Sequence, residues 1–324
     1  MTAELAGVAD PVAIGSEDAA LLALLRLLES RDYAFVTATP LTHARVVARA
    51  DRQQARSVRD VLGWSLPFRR GEIDGEIETL LDRAGMLLVD GAMLRSRVRV
   101  STLHERLFLH SAYPTSDTDA VFFGPDSYRF ADLIRQELAH MPDHGSVRML
   151  DIGTGSGVGA IVAAGARPMA QVSATDINPR ALRFARVNAA AAGVTIDAHH
   201  TPTLETLDGA FDVVTANPPY IIDADSRLYR HGGGMHGAQL SLDMTRMALD
   251  RLAPGGRTIL YTGSAIVDGD DALKRALAGE ASARGFGLGY RELDPDVFGE
   301  ELDQPGYADV ERIALVAAII TRPA

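Results

Sequence analysis

Apolar residues in the first third of the chain recur mostly at helical spacing, whereas later they gather into short runs that alternate with helical segments. From Ser16, the stretch S-E-D-A-A-L-L-A-L-L-R-L-L sets a small polar capping residue before leucines at helical spacing, which predicts a helix beginning there. Residues 41–62 and 73–84 carry a similar period and are expected to be helical. Three β-type runs follow, M-L-L-V-D, M-L-R-S-R-V-R-V and R-L-F-L-H, with Asp90-Gly91 as a turn signal between the first two. Helices followed by a β-hairpin resemble a winged-helix arrangement, read either as a DNA-binding module or as a small packing domain that shapes a substrate pocket.

The character of the pattern changes between about Tyr113 and Asp126. F-A-D-L-I-R-Q-E-L reads as amphipathic helix, V-R-M-L-D-I as strand and G-V-G-A-I-V-A-A as helix. Then come strand V-S-A-T-D, helix P-R-A-L-R-F-A-R-V-N-A-A-A-A, a strand around 194–198 and strand F-D-V-V-T-A. Helix 239–252, strand R-T-I-L-Y-T, helix 272–281 and the final apolar strand I-A-L-V-A-A-I-I complete the series. Such alternation predicts an α/β fold with a mostly parallel sheet covered by helices on both faces, in which ligands bind beyond the carboxyl ends of the strands. The expected division is an amino-terminal helical, winged-helix-like substrate or lid domain at 1–120 and a catalytic domain at 121–324.

With 324 residues, 47% of them hydrophobic, the chain can bury a substantial core. Cysteine is absent, which excludes disulfides, thiolate metal sites and a cysteine nucleophile. The formal net charge of −11 weighs against a nucleic-acid partner and favours the packing role for the amino-terminal region. The opening M-T-A-E-L-A-G-V-A-D has no basic cluster, and no apolar run approaches the roughly 18–20 residues that span a bilayer, so a soluble, cytoplasmic protein without membrane contact is expected.

Candidate chemistry begins at L-D-I-G-T-G-S-G-V-G-A, where Gly153, Gly155 and Gly157 occupy a strand-to-helix turn. Glycine there permits positive φ and lets a ligand approach the backbone. Asp176 ends the next strand 23 positions after Gly153, placed to accept both hydroxyls of a ribose. The pair points to an adenosine-containing cofactor, although Gly155, Gly157 and Ala160 also satisfy the nicotinamide pattern G-x-G-x-x-A. Asp151 discriminates, since a carboxylate beside the loop suits a cationic ammonium group and repels a pyrophosphate; its other reading is a helix cap. Finally N-P-P-Y at 217–220 closes the run F-D-V-V-T-A, and two prolines force the chain out of the sheet there.

With the strand, D-I-G-T-G-S-G, D-I-N-P and N-P-P-Y in this order, the chain resembles the class I S-adenosylmethionine-dependent methyltransferases. It looks most like the branch containing the protein-glutamine N5 methyltransferases of release factors and the amino-type adenine N6 methyltransferases, over roughly residues 122–324. The resemblance implies a Rossmann-like seven-stranded sheet whose last hairpin is antiparallel, and S-adenosyl-L-methionine as cofactor. It implies that Asp151, Gly153, Thr154, Gly155 and Gly157 line the methionine end, that Asp176 binds the ribose and that Ile177 packs on the adenine. Asn217, also a cofactor contact, and Pro218 would face the nucleophile, accepting its N–H groups on the amide oxygen and the carbonyl, while Tyr220 supplies a stacking face. F-F-G-P-D-S-Y-R-F-A-D-L-I sits where the glutamine enzymes carry a cofactor-covering segment. The chain departs from the family at 221–242, where His231, Met235 and His236 have no family role and suit a polar pocket wall better than a metal site. It departs again at His199-His200, at the end of the third strand, and in the amino-terminal region.

The resulting expectation is N-methylation of a small molecule, peptide or protein side chain, without metal. Alternatives are a cyclase of secondary metabolism that converts S-adenosylmethionine itself into azetidine-2-carboxylate and methylthioadenosine, a nucleic-acid adenine N6 methyltransferase, and a cofactor-binding regulator.

Overall fold

The computed structural model describes residues 15–115, 117–142, 147–223 and 230–324. The opening decapeptide and the part of the post-corner stretch at 224–229 lie outside the described residues. The first helix, α1 (Ser16–Ser30), buries Leu21, Leu24, Leu25 and Leu28 along one face, the spacing that its leucines announce. Ser16 is its first helical residue rather than its cap. The acidic residues beside it are used across the fold instead, with Glu17 and Asp18 both paired to Arg183.

The stretch 41–62, expected to be one helix, is broken into α2 (Pro40–Val47), a single 3-10 turn at Ala50–Arg52, and α3 (Val58–Leu62). The Gln53 side-chain amide donates to the carbonyls of Val47 and Arg49 where α2 ends, and Ser57 starts the next helix. Its hydroxyl oxygen accepts the Asp60 N–H, and the Asp60 carboxylate accepts the Arg56 N–H and the Ser57 hydroxyl, a local network that starts a new helix. After α4 (Gly75–Arg83) come β1 (Leu87–Asp90), β2 (Met93–Ser96), β3 (Val98–Leu103) and β4 (Arg106–Ser111). Gly91, with φ of 59°, turns β1 into β2 as the Asp90-Gly91 pair predicts. The single run 93–100 is divided at Arg97, whose N–H goes to Met86 and whose carbonyl accepts from Ala112, so the four strands form two separate hairpins.

The remaining elements are α5 (Pro125–Ala139), β5 (Arg148–Ile152), α6 (Val158–Ala166), β6 (Gln171–Asp176), α7 (Pro179–Ala191), β7 (Asp197–His200), β8 (Phe211–Ala216) and α8 (Gln239–Leu249). They continue through β9 (Leu252–Val267), the short β10 (Asp270–Asp271), α9 (Ala272–Ala283), β11 (Gly287–Asp294) and β12 (Arg312–Thr321). Seven of these strands run in the order β11-β12-β9-β8-β5-β6-β7, with β10 pairing β9 off the path. β7, β6, β5, β8 and β9 are mutually parallel, and β12, the expected last apolar strand, enters antiparallel between β9 and β11. This is the Rossmann-like seven-stranded sheet of the class expected. β7 lies a few residues beyond the expected 194–198, and β11 has no counterpart in the apolar pattern because its exposed, glycine-interrupted sequence sits at a sheet edge.

Alternating side chains feed two cores. Met149, Val213 and Ala317 meet α5 and α6 on one face, while Leu150, Val214 and Ala318 meet α8 and α9 on the other. A third core lies beneath α1 and α4 and takes in Ala181, Phe184 and Val187 of α7, so apolar packing crosses the expected division at 120. No helix among the described residues is long and apolar enough to cross a membrane.

Asn188, fully buried on α7, fastens these parts together. Its Oδ1 accepts the Leu109 N–H at 2.8 Å, and its Nδ2 donates to the carbonyls of Leu109 at 3.0 Å and Ser156 at 2.8 Å. One amide thus ties the edge of β4 to the glycine loop. Asn188→Ala leaves these backbone groups without partners, and chemical denaturation is expected to show a loss of about 3 kcal/mol.

Candidate active site

At the carboxyl ends of β5, β6 and β8 lies a cavity of about 370 Å³. The glycine loop forms its floor through Gly153 and Gly155, while Gly157 lies off the cavity wall; the three have φ of 67°, 56° and 87°, a region that only glycine enters readily. Their surroundings differ. A Cβ on Gly155 would meet nothing within 4 Å, whereas one on Gly157 would press on Ala185 and Ile161, so Gly157 also permits close packing of the loop on α7. Ala120, Phe122, Ser127 and Phe130 form one wall, Thr201 to Leu204 another, and Leu240, Met244 and Met247 a third.

Asp151, at 2% exposure, lines the cavity with its carboxylate engaged from three directions. Oδ2 accepts the Thr154 hydroxyl at 2.6 Å and the Ala160 N–H at 3.0 Å, and Oδ1 accepts the Thr215 hydroxyl at 2.7 Å. The carboxylate can nest there because residue 159 is glycine, since a Cβ would stand 2.3 Å from Oδ1. Thr154, expected as a cofactor contact, therefore spends its hydroxyl inside the loop. Burial pushes the Asp151 carboxyl up to about 6, opposed by those three donors and assisted by the nearby Asp176. Asp176 accepts the Gly155 N–H on one oxygen and the Asn178 N–H on the other, each at 2.8 Å. Burial raises its pKa as well, against these N–H groups. Ile177 follows on the same wall at 49% exposure.

The 217–220 corner divides its residues between cavity and core. Asn217 and Pro219 line the cavity, and no described residue hydrogen-bonds the Asn217 amide or the Pro218 carbonyl. Pro218 is buried. Tyr220 is not on the cavity wall and offers no stacking face there. It lies in the core on Gly263, where a Cβ would come within 2.3 Å of its ring, and its hydroxyl donates to Asp126 Oδ2 at 2.7 Å. The Tyr261 hydroxyl donates to Asp126 Oδ1 at 2.9 Å. Asp126 opens α5, so this buried pair of phenols secures the corner to the segment that covers the cavity.

The histidines singled out in the sequence lie elsewhere. His200 is bonded to the Ile177 carbonyl and His199 is paired with Asp197, leaving Thr201 to Leu204 to form the wall beyond β7. His231 accepts the Asp223 N–H, and His236 pairs with Asp309, so both brace the chain after the corner rather than the pocket. Thr215, Gly159 and Asp126 were not anticipated as site residues. Only the burial of Asp151 and of Tyr220 reveals what they do.

This arrangement fits S-adenosyl-L-methionine. The cavity is of small-molecule size, the loop backbone faces open space at Gly155, and Asp176 keeps lone pairs for a diol after accepting one N–H on each oxygen. Asp151 supplies negative charge beside the loop. Since the ionised carboxylate is the form that attracts a cation, affinity for S-adenosylmethionine should fall by up to about tenfold per pH unit below about pH 6. Calorimetric titration should find this dependence flattened in Asp151→Asn; an unchanged profile would place the titrating group elsewhere.

The chain is similar to known methyltransferases. Residues 135–277 match the family described as methyltransferase small domain. The release factor glutamine methyltransferase of Deinococcus radiodurans is 32% identical over 197 residues, covering 58% of this chain and 66% of the relative. That of Neisseria gonorrhoeae is 30% identical over 206 residues, covering 59% of this chain and 71% of the relative. Among solved structures, a ribosomal protein L11 methylase from Lactobacillus delbrueckii subsp. bulgaricus aligns with a TM-score of 0.40 and 23% identity, over 63% of this chain and 81% of that one. The chain belongs to the class I S-adenosylmethionine-dependent methyltransferases, within the family of the release factor glutamine methyltransferases.

Proposed function

We propose that this methyltransferase acts on a planar amide nitrogen, and that the amide is a glutamine side chain of a protein or peptide. The observation that carries the reading is the pair of uncommitted acceptors at the corner, the side-chain oxygen of Asn217 on the cavity wall and the carbonyl of the buried Pro218 next to it in the chain, beside a cavity of small-molecule size. S-adenosylmethionine, when bound, supplies a sulfonium methyl already activated for in-line displacement. An amide nitrogen is a poor nucleophile because its lone pair is delocalised. Asn217 and Pro218 accept its two N–H groups, which draws electron density toward the nitrogen and fixes its approach. The proline rings hold that carbonyl in one direction. Transfer would leave the cofactor as S-adenosylhomocysteine, and one of the two N–H protons held by Asn217 and Pro218 would pass to solvent as the methylated amide leaves.

In the same reading Asp151, Gly153, Thr154, Gly155 and Gly157 hold the methionine end, Asp176 the ribose and Ile177 the adenine. Residues 121–324 bind the cofactor, and residues 1–120 form the face that meets the acceptor. Tyr220 acts as a positioning residue through Asp126. The names of the two relatives support a glutamine as the modified residue. They lend nothing to cofactor cyclisation or to adenine methylation.

Incubation with labelled cofactor and a bacterial release factor should place one methyl on a glutamine and yield S-adenosylhomocysteine. Asn217→Ala is expected to slow turnover about 100-fold or more while cofactor affinity stays within about threefold. Methylthioadenosine formed without any acceptor would replace this reading with cyclisation. Tyr220→Phe should cost about 1 kcal/mol of stability and lower kcat more than it raises KM, since it loosens the corner without touching the cavity.

A further inference from the structure

Along β3, Val98 and Val100 enter the leucine core beneath α1, while Arg99 and Ser101 take the opposite face of the strand. Arg99 stands across from His110 of β4 and is 5% exposed. Its Nε donates to the Ser111 carbonyl at 3.2 Å. The two terminal nitrogens donate to no described residue, and they are not among the side-chain atoms sealed from solvent. Arg251 shows the usual alternative, since it distributes its donors over the carbonyls of Leu204, Leu207 and Gly209. Arg99 leaves its fork open.

No described carboxylate neighbours Arg99. The polar groups that act on it are the phenols of Tyr33, Tyr113 and Tyr128, and it acts in turn on His43 and His110. Tyr33 donates to the Val100 carbonyl and Tyr128 accepts the Thr37 N–H, but the Tyr113 hydroxyl has no described partner. Burial, and then Arg99 itself, pulls His43 down to about 4 and holds His110 well below the ordinary histidine range, so neither adds charge at neutral pH. Burial lowers Arg99 to about 10, which leaves it cationic. A charge withdrawn from water ordinarily has a counter-ion, because desolvation is otherwise uncompensated.

We propose that Arg99 anchors an oxyanion subsite at the open end of its guanidinium, on the His110 side of β3, taking a carboxylate or phosphate group on its two terminal nitrogens with the Tyr113 hydroxyl as a further donor. The end of a guanidinium presents two parallel N–H groups, a match for two oxygens of either anion. The subsite is separate from the cofactor cavity yet adjoins it. Phe123, stacked on His110 at 4.9 Å, and Tyr128 are chain neighbours of Phe122 and Ser127, which line that cavity. The proposal does not depend on the glutamine assignment.

The one tryptophan of the chain, Trp64, provides a reporter, because its ring lies 5.2 Å from His43, which in turn lies 4.0 Å from Tyr113. The full chain is titrated with sodium acetate and, separately, with sodium phosphate, at ionic strength held constant with sodium chloride, while Trp64 emission is followed. A saturable change with either anion is expected, and the tighter of the two identifies the class of ligand. Arg99→Lys should weaken it about tenfold, and Arg99→Met should abolish it with cofactor affinity within about twofold and the melting temperature unchanged or higher, as an unpaired buried charge has been removed. Should Arg99→Met not fold, Tyr113→Phe, which deletes one hydroxyl at a partly exposed position, should still weaken the anion about three- to tenfold. Absence of a saturable response to both anions, or an undiminished response in Arg99→Met, overturns the subsite.

Discussion

A buried carboxylate must be given donors, and at Asp151 that requirement assembles the site. The Thr154 hydroxyl comes from the glycine loop, the Ala160 N–H from the start of α6 and the Thr215 hydroxyl from β8. Because Thr215 lies two residues before Asn217, the bond that steadies the loop also sets where β8 ends and the corner begins. Gly159 is the steric condition for this, since any larger residue would collide with the carboxylate. Loop, helix and corner therefore share one anchor.

A second buried carboxylate does the same on the other side of the corner. Asp126 receives hydroxyls from Tyr220 and Tyr261, joining the first turn of α5, the chain after β8 and the middle of β9. Burial raises its pKa, and the two phenols work against that shift. Prolines stiffen 218–219 locally, while Asp126 and Asp151 fix the corner relative to the cavity. Rigidity of this kind suits methyl transfer, in which the donor carbon is already activated and alignment is the main demand on the protein.

The amino-terminal elements are joined to the catalytic part by packing as well as by chain. α7 contributes its apolar face to the core beneath α1, and Arg183 holds Glu17 and Asp18. Asn188 continues the link to the glycine loop. Beside this docking, Arg99 is 5% exposed with no carboxylate partner among the described residues, a costly arrangement for a residue whose only task was to fill space.

The sequence by itself determined the alternation of elements, the parallel sheet, the glycine loop and the rigid corner, because each rests on local periodicity or on the backbone limits of glycine and proline. The run I-A-L-V-A-A-I-I is buried on both faces and announces a strand; β11 is half-exposed and does not. The single helix expected at 41–62 failed because the Gln53 amide takes the carbonyls where α2 ends and Ser57 and Asp60 divert backbone N–H groups where α3 starts, a competition that apolar spacing does not register. Tertiary structure alone decided the rest of the site. Tyr220 looked like a stacking face and became a buried tether because Asp126, 94 positions away in the chain, required a donor. Asp151 likewise found Thr215 across 64 positions. Side chains so far apart meet only when the sheet brings β5, β8 and α5 together, and burial then obliges each polar group to find a partner.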